Sequence, residues 1–179
     1  MTMVFLGMML VIANITAAHA GITDTKAEVS SWDELEARLI RGGTLVLTQD
    51  ITRTSSYDLI VRRKTIIDLN GHTLNGDYSE YEKGSVILVN GNTLTIQDNS
   101  EQKTGVLTGG YTSDGGGAVE LLSGTGLIIE GGTISGNDSD AGGAISISPG
   151  CTVEMRGGVI ENHSAGYYGG AIYILFTGK

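Results

Sequence analysis

From Gly116 to Lys179 the chain states one pattern three times. GGAVELLSGTGLIIEGGTIS starts at Gly116, GGAISISPGCTVEMRGGVIE at Gly142 and GGAIYILFTGK at Gly169, so the Gly-Gly pairs stand 26 and 27 residues apart. A fixed period of this size is the mark of a solenoid, in which each unit buries its apolar face only by stacking on its neighbour. Twenty-eight glycines, about twice the usual share, with a single proline fit a chain of many tight corners. They exclude collagen and a polyproline linker.

Aligning on the glycine pairs predicts three strand columns. In the first, Val86, Val119, Ile145 and Ile172 superpose, followed two residues on by Leu88, Leu121, Ile147 and Ile174. In the second, Ile67, Leu94, Leu127 and Val153 superpose, then Leu69, Ile96, Ile129 and Met155; in the third, Leu74, Leu107, Ile134 and Ile160. Alternation with period two places these columns inside and the mixed residues between them outside. Gly76, Gly109, Gly136 and Asn162 follow the third column in register, and glycine and asparagine tolerate positive φ, so a left-handed corner is expected in each coil. Three strands in 26 residues leave no room for helices. The expected fold is an all-β, right-handed parallel β-helix, a three-sheet solenoid of four to five coils, its hand following the rule for parallel crossovers.

Ahead of the coils, Ser31 and Glu34 predict a capping box. Trp32, Leu35, Leu39 and Ile40 form one apolar helical stripe that ends at Gly42. Residues 21–43 are therefore read as a linker and an amphipathic capping helix, and 44–179 as the β-helix. The first twenty residues read as a signal peptide, with an apolar run from Val4 to Ile15 and the cleavage pattern Ala18-His19-Ala20. That places the mature chain outside the cell or on its surface. Ile172 and Ile174 open a coil without second or third strands, so truncation of the solenoid or end-to-end self-association is expected, with Phe176 folding over part of the opening at most. A net charge of −9, from 11 Lys+Arg against 20 Asp+Glu, argues against nucleic acid, which demands basic residues. Twelve apolar residues are too few to span a bilayer, so no membrane contact is expected beyond export. Cys151 stands alone and excludes an internal disulfide.

IIDLNGHTLNG at Ile66, GGTISGN at Gly131 and SSWDELEARLIRGGTLVLTQDIT resemble exported bacterial right-handed β-helix proteins of the pectin-lyase-like fold, in the adhesin-like surface repeat group. The resemblance runs from Ser30 to Ile174 and implies the fold. It leaves activity open, because that group holds polysaccharide lyases, glycoside hydrolases, adhesins and surface proteins.

Either enzyme class needs converging carboxylates, for Ca²⁺ or for acid–base work on a sugar. In the predicted alignment Asp68 and Glu154 share a column three coils apart, and Glu120 has no acidic neighbour above or below. Glu130 and Arg156 face one another as an exposed pair. No catalytic residue is assigned. His72 and His163 are read as turn and loop residues, and Cys151 as a small packed side chain. Asp77, Tyr78, Glu80, Tyr81 and Glu82 form an acidic, tyrosine-bearing loop that is the candidate ligand contact. No cofactor is expected; Ca²⁺ is the one ion such a loop, or GGYTSDGGG at Gly109, would take, although the latter lacks the spacing of a calcium repeat. The expectation is a non-catalytic surface scaffold that binds glycan or protein through its outer sheets and loops. The alternative is the N-terminal part of a polysaccharide lyase or glycoside hydrolase whose active site lies beyond residue 179.

Overall fold

The computed structural model describes residues 26–77 and 84–176. It is a parallel β-solenoid. One sheet runs through β1 (Lys26–Val29), β2 (Gly43–Leu47), β5 (Thr65–Asp68), β8 (Thr93–Gln97), β12 (Gly126–Ile129) and β16 (Thr152–Met155). A second runs through β4 (Leu59–Val61), β7 (Ile87–Val89), β11 (Val119–Leu121), β15 (Ile145–Ile147) and β19 (Ile172–Ile174). The third holds β3 (Ile51–Thr52), β6 (Thr73–Asn75), β9 (Val106–Thr108), β13 (Thr133–Ser135) and β17 (Val159–Glu161). A short fourth sheet, which the glycine alignment does not predict, joins β10 (Tyr111–Thr112), β14 (Asp138–Ala141) and β18 (Ser164–Tyr168). These last strands are too polar to read as a buried column. Every strand pair within the four sheets is parallel.

The core is a set of aliphatic ladders. Leu59, Ile87, Val119, Ile145 and Ile172 stack, as do Val61, Val89, Leu121, Ile147 and Ile174. The first column is therefore one residue out of the predicted register at this strand: Ile87 and Val89 are buried, while Val86 turns the preceding corner and Leu88 points outward. In the second column Ile67 pairs with Ile96, and Thr65 with Leu94, a shift of two residues from the predicted register. The third column stands as predicted, with Ile51 added below Leu74. Residues 26–29, read as linker, already form a strand, because Val29 is buried against the core and the segment pairs along β2.

Helix α1 (Trp32–Leu39) starts where Ser31 Oγ accepts a hydrogen bond from the Glu34 N–H at 3.2 Å. The Glu34 carboxylate reaches back to the Ser30 N–H at 2.8 Å, one residue earlier than the capping box predicts. Trp32, Leu35 and Leu39 bury one face, and Ile40 is 75 % exposed rather than part of that stripe.

The corners hold with one exception. Gly109, Gly136 and Asn162 have φ of 71°, 62° and 58°. Gly76 does not have positive φ; Asp77 takes that conformation at 52°. Asn75 Oδ1 accepts from the Asp77 N–H at 2.8 Å and closes a turn one residue later. Gly76 is needed for closeness, since a Cβ there would lie 2.6 Å from the Gly109 carbonyl oxygen.

Candidate functional site

Among the described residues a concave surface lies where α1 meets β4, the edge strand at which the second sheet begins. Leu39 anchors the helix in the core, which leaves Glu36 and Ile40 standing along one wall. Tyr57, Asp58 and Ile60 form the other, and Arg62 and Arg63 the rim. The groove encloses about 530 Å³, within the range of sites that hold a small ligand or a short segment. Tyr57 is 75 % exposed, so its ring is free to receive a partner. Arg63 Nε donates to the Ile40 carbonyl at 3.2 Å and ties the rim to the end of the helix.

Beneath the groove sits a buried cation. The side chain of Arg53 is wholly excluded from solvent; Nη2 lies 3.3 Å from Asp58 Oδ1 and also donates to the Ser85 carbonyl. Its guanidinium carbon stands 5.0 Å from the centre of the Trp32 ring, a cation–π contact. The Trp32 Nε1–H is shared between Glu36 Oε1 and Ser55 Oγ, and Ser55 Oγ donates to Glu36 Oε1 at 2.8 Å. The cation–π contact thus joins two hydrogen-bonded sets, Trp32 with Glu36 and Ser55, and Arg53 with Asp58 and Ser85. Burial pushes Asp58 up to about 6 and outweighs the attraction of Arg53.

A second carboxyl lies further along the sheet. Glu120 is raised first by burial, then by the charges of Asp114 and Asp58. In the sheet it does stand between apolar and neutral residues, Leu88 and Ser146. Its acidic neighbours come from the connecting segments instead, which the column alignment cannot place. A Cβ on Gly115 would meet Glu120 Oε2 at 2.8 Å and Ser85 Oγ at 3.4 Å, so both oxygens face the same spot. Ser85 Oγ is buried without a hydrogen-bond partner among the described residues. A carboxyl whose pKa is raised is better suited to act as acid or base than one in the ordinary range. Among the described residues no three His, Cys, Asp or Glu side chains converge to hold a metal ion.

The other predicted residues are structural or peripheral. Asp68 is buried and does not share a column with Glu154; its register partners are Val46 and Gln97. Its Oδ1 accepts from the Asn70 and Asn99 N–H groups, and its Oδ2 from Gln97 Nε2 and Asn99 Nδ2, all at 2.9 to 3.1 Å. Asp98 takes the same role one coil on, accepting from the Gly71, Ser100 and Gly105 N–H groups. Burial would raise it, yet the hydrogen bonds from Ser100, Gly105 and Gly71 outweigh burial and hold it below the usual carboxylate range. Arg156 meets Glu130 at 2.9 Å, as predicted, and also Glu154 at 2.8 Å, all exposed.

His72 sits 3.6 Å from Asp50. His163 is not a free loop residue: Nδ1 accepts from the Asn137 N–H at 3.3 Å and Nε2 donates to the Ile134 carbonyl at 3.0 Å. Cys151 packs against Thr125 and Leu122. Of the predicted loop only Asp77 is described; Tyr78, Glu80, Tyr81 and Glu82, like the leader at 1–20, lie outside the described residues.

No family model, curated protein or solved structure matches the chain. Its function must therefore be argued from the groove and the carboxyls themselves. Arg53, Tyr57, Asp58 and Asp114 escaped the sequence reading because each acts from a connecting segment, and Arg53 meets Ser85 across 32 residues. The one available signal was an arginine followed closely by Tyr-Asp just before an apolar strand.

Proposed function

We propose that the chain is a non-catalytic, exported surface scaffold of adhesin-like type that binds a glycan or a protein. In this reading residues 1–20 direct secretion, and the mature chain is a right-handed β-helix of four to five coils whose first coil is covered by α1. The observation that carries it is the groove between α1 and β4, where an exposed tyrosine, aliphatic side chains and two arginines are presented on a rigid stack of sheets. Exposed aromatic and arginine side chains held by a rigid scaffold are what recognition surfaces use. A screen of the mature chain against glycan and protein arrays, with and without Ca²⁺, tests the reading. Tyr57→Ala and Arg62→Ser are expected to lose the captured ligand without a change in melting temperature. Retention of binding in both variants sinks it.

A second reading is a carbohydrate-active enzyme, favoured by the elevated Asp58 and Glu120 carboxyls and the unpartnered Ser85 hydroxyl near Glu120. The scaffold reading expects no release of reducing or unsaturated ends from acidic or neutral polysaccharides. Release that disappears in Glu120→Gln would replace the scaffold with the enzyme.

A further inference from the structure

The second sheet ends at β4, which pairs with β7 on one side and has α1 packed near it on the other, so an added strand would lie in the groove between α1 and β4. Which backbone atoms face that groove follows from two hydrogen bonds. The Leu59 N–H donates to the Val86 carbonyl at 3.1 Å, and the Val61 carbonyl accepts from the Asn90 N–H at 2.8 Å. In a parallel ladder alternate residues point to opposite neighbours, so Leu59 and Val61 face β7 and Ile60 faces away from it. Among the described residues neither the Ile60 N–H nor its carbonyl has a hydrogen-bond partner outside that ladder. Ile60 also lines the groove. The groove therefore contains a donor and an acceptor set as a strand edge presents them, which is a template for another extended chain.

We propose that this groove takes an extended acidic peptide, added as a strand along β4. The proposal deepens the reading of the chain as a binding scaffold and chooses protein over glycan as the partner. The unpaired backbone of Ile60 favours a peptide, because main-chain hydrogen bonds provide the affinity in strand addition while side-chain contacts provide the specificity. Tyr57, Ile40 and Ile60 offer apolar contacts for alternate side chains of such a strand.

Charge selects an acidic one. Arg62 and Arg63 rim the groove, Lys64 follows them in sequence, and Arg41 lies just past α1, where it lines a neighbouring pocket with Lys26 and Arg38. All four are exposed and make no ion pair among the described residues. The two carboxylates inside the groove are already engaged, Glu36 by Trp32 and Ser55, and Asp58 by Arg53. The uncompensated charge at this place is positive in a chain whose net charge is −9. Opposite charge at the rim steers association and sets the choice of partner.

Binding is measured on the whole chain by calorimetry or fluorescence anisotropy with an acetylated Glu-Val-Glu-Val-Glu-Val amide. Three comparison probes are used: the same peptide N-methylated at alternate amides, a Lys-Val counterpart, and neutral and acidic oligosaccharides. The acidic peptide is expected to bind and to weaken as salt rises. N-methylation in the hydrogen-bonding phase is expected to cost about tenfold or more in affinity. Arg62→Ser combined with Lys64→Ser is expected to cost at least as much. Ile60→Pro removes the outward N–H at an edge position that tolerates proline and is expected to lose binding; should it fail to fold, the N-methylated peptide asks the same question of the native chain. Equal affinity for the methylated or the Lys-Val peptide overturns the proposal. Binding of oligosaccharides but of no peptide, lost in Tyr57→Ala, overturns it while leaving the scaffold reading in place. Binding of neither overturns both.

Discussion

Asn137 and His163 occupy the same place in successive coils and make equivalent hydrogen bonds with different atoms. Asn137 Oδ1 accepts from the Gly110 N–H at 2.9 Å, and its Nδ2 donates to the Leu107 carbonyl at 3.3 Å. One coil on, His163 Nδ1 accepts from the Asn137 N–H and Nε2 donates to the Ile134 carbonyl. Each side chain pairs backbone groups that the corner leaves outside the sheets, as buried polar groups require. The imidazole can do this only when neutral, because Nδ1 needs its lone pair. Burial lowers its pKa below the ordinary value of 6.5, against the pull of the Ile134 carbonyl and Glu161. A folded-state value below the unfolded one means that stability is fully present above pH 6.5 and is lost as pH falls through the folded value. Asp58 runs the other way: its raised value favours the folded state at low pH, and that gain fades as pH rises from 3.8 through about 6. The melting temperature of the wild type is therefore compared with that of His163→Asn from pH 8 to pH 5, so that the Asp58 contribution cancels. The variant is expected to lose less stability below pH 6.5; parallel curves would show that His163 does not titrate in the fold. Glycine at the repeat corners answers a harder constraint. A Cβ on Gly117 would lie 2.5 Å from the Gly143 carbonyl oxygen and 2.6 Å from that of Asp138, both backbone atoms that cannot move aside.

At the scale of the strand, the ladder decides which side chains are worth most. Ile87 is fully buried between Leu59 and Val119, whereas Leu88, its neighbour, points outward beside Glu120. Ile87→Ala is expected to cost about 2–5 kcal/mol, the usual range for a truncated buried aliphatic, and Leu88→Ala much less. Thermal or urea unfolding of the two variants measures it, and the reverse order would restore the register first read from the glycines. That register succeeded where coils are of equal length and failed where they are not. Gly116, Gly142 and Gly169 anchor coils of nearly constant period, so Val119, Ile145 and Ile172 were legible. Val86-Ile87-Leu88-Val89 is apolar throughout and has no alternation to say which residues face in. Between Asp68 and Gln97 the coil is 29 residues long, which carries Ile67 two places beyond the glycine alignment. The groove was less legible still. Ile40 completed an apolar stripe on paper, but it is the C-cap of α1 and stands exposed over Ile60 and Tyr57 only because the helix ends there.

At the scale of the whole molecule, burial is complete in the middle of the stack and falls away at β16, β17 and β19, where Ile160 is still partly buried against the core. Leu127 and Ile129 are buried, while Val153 and Met155, their partners one coil on, are exposed. Ile172 and Ile174 are exposed in the same way, and Phe176, 87 % exposed, covers neither. Within residues 26–176 these strands are the last of their sheets, so they present unpaired backbone beside aliphatic side chains. Such an edge recruits another strand, and the period of the stack makes a second copy a geometrically suitable one. Sedimentation velocity on residues 21–179 is expected to show an average mass that rises with concentration. Met155→Glu and Ile174→Glu are expected to suppress that rise with little change in melting temperature, because both side chains are already in solvent. Ile129→Glu, one coil back, is expected to unfold the chain, since it buries an unpaired carboxylate in the core. A wild type that stays monomeric at the highest concentration would overturn the expectation that this edge recruits a second copy.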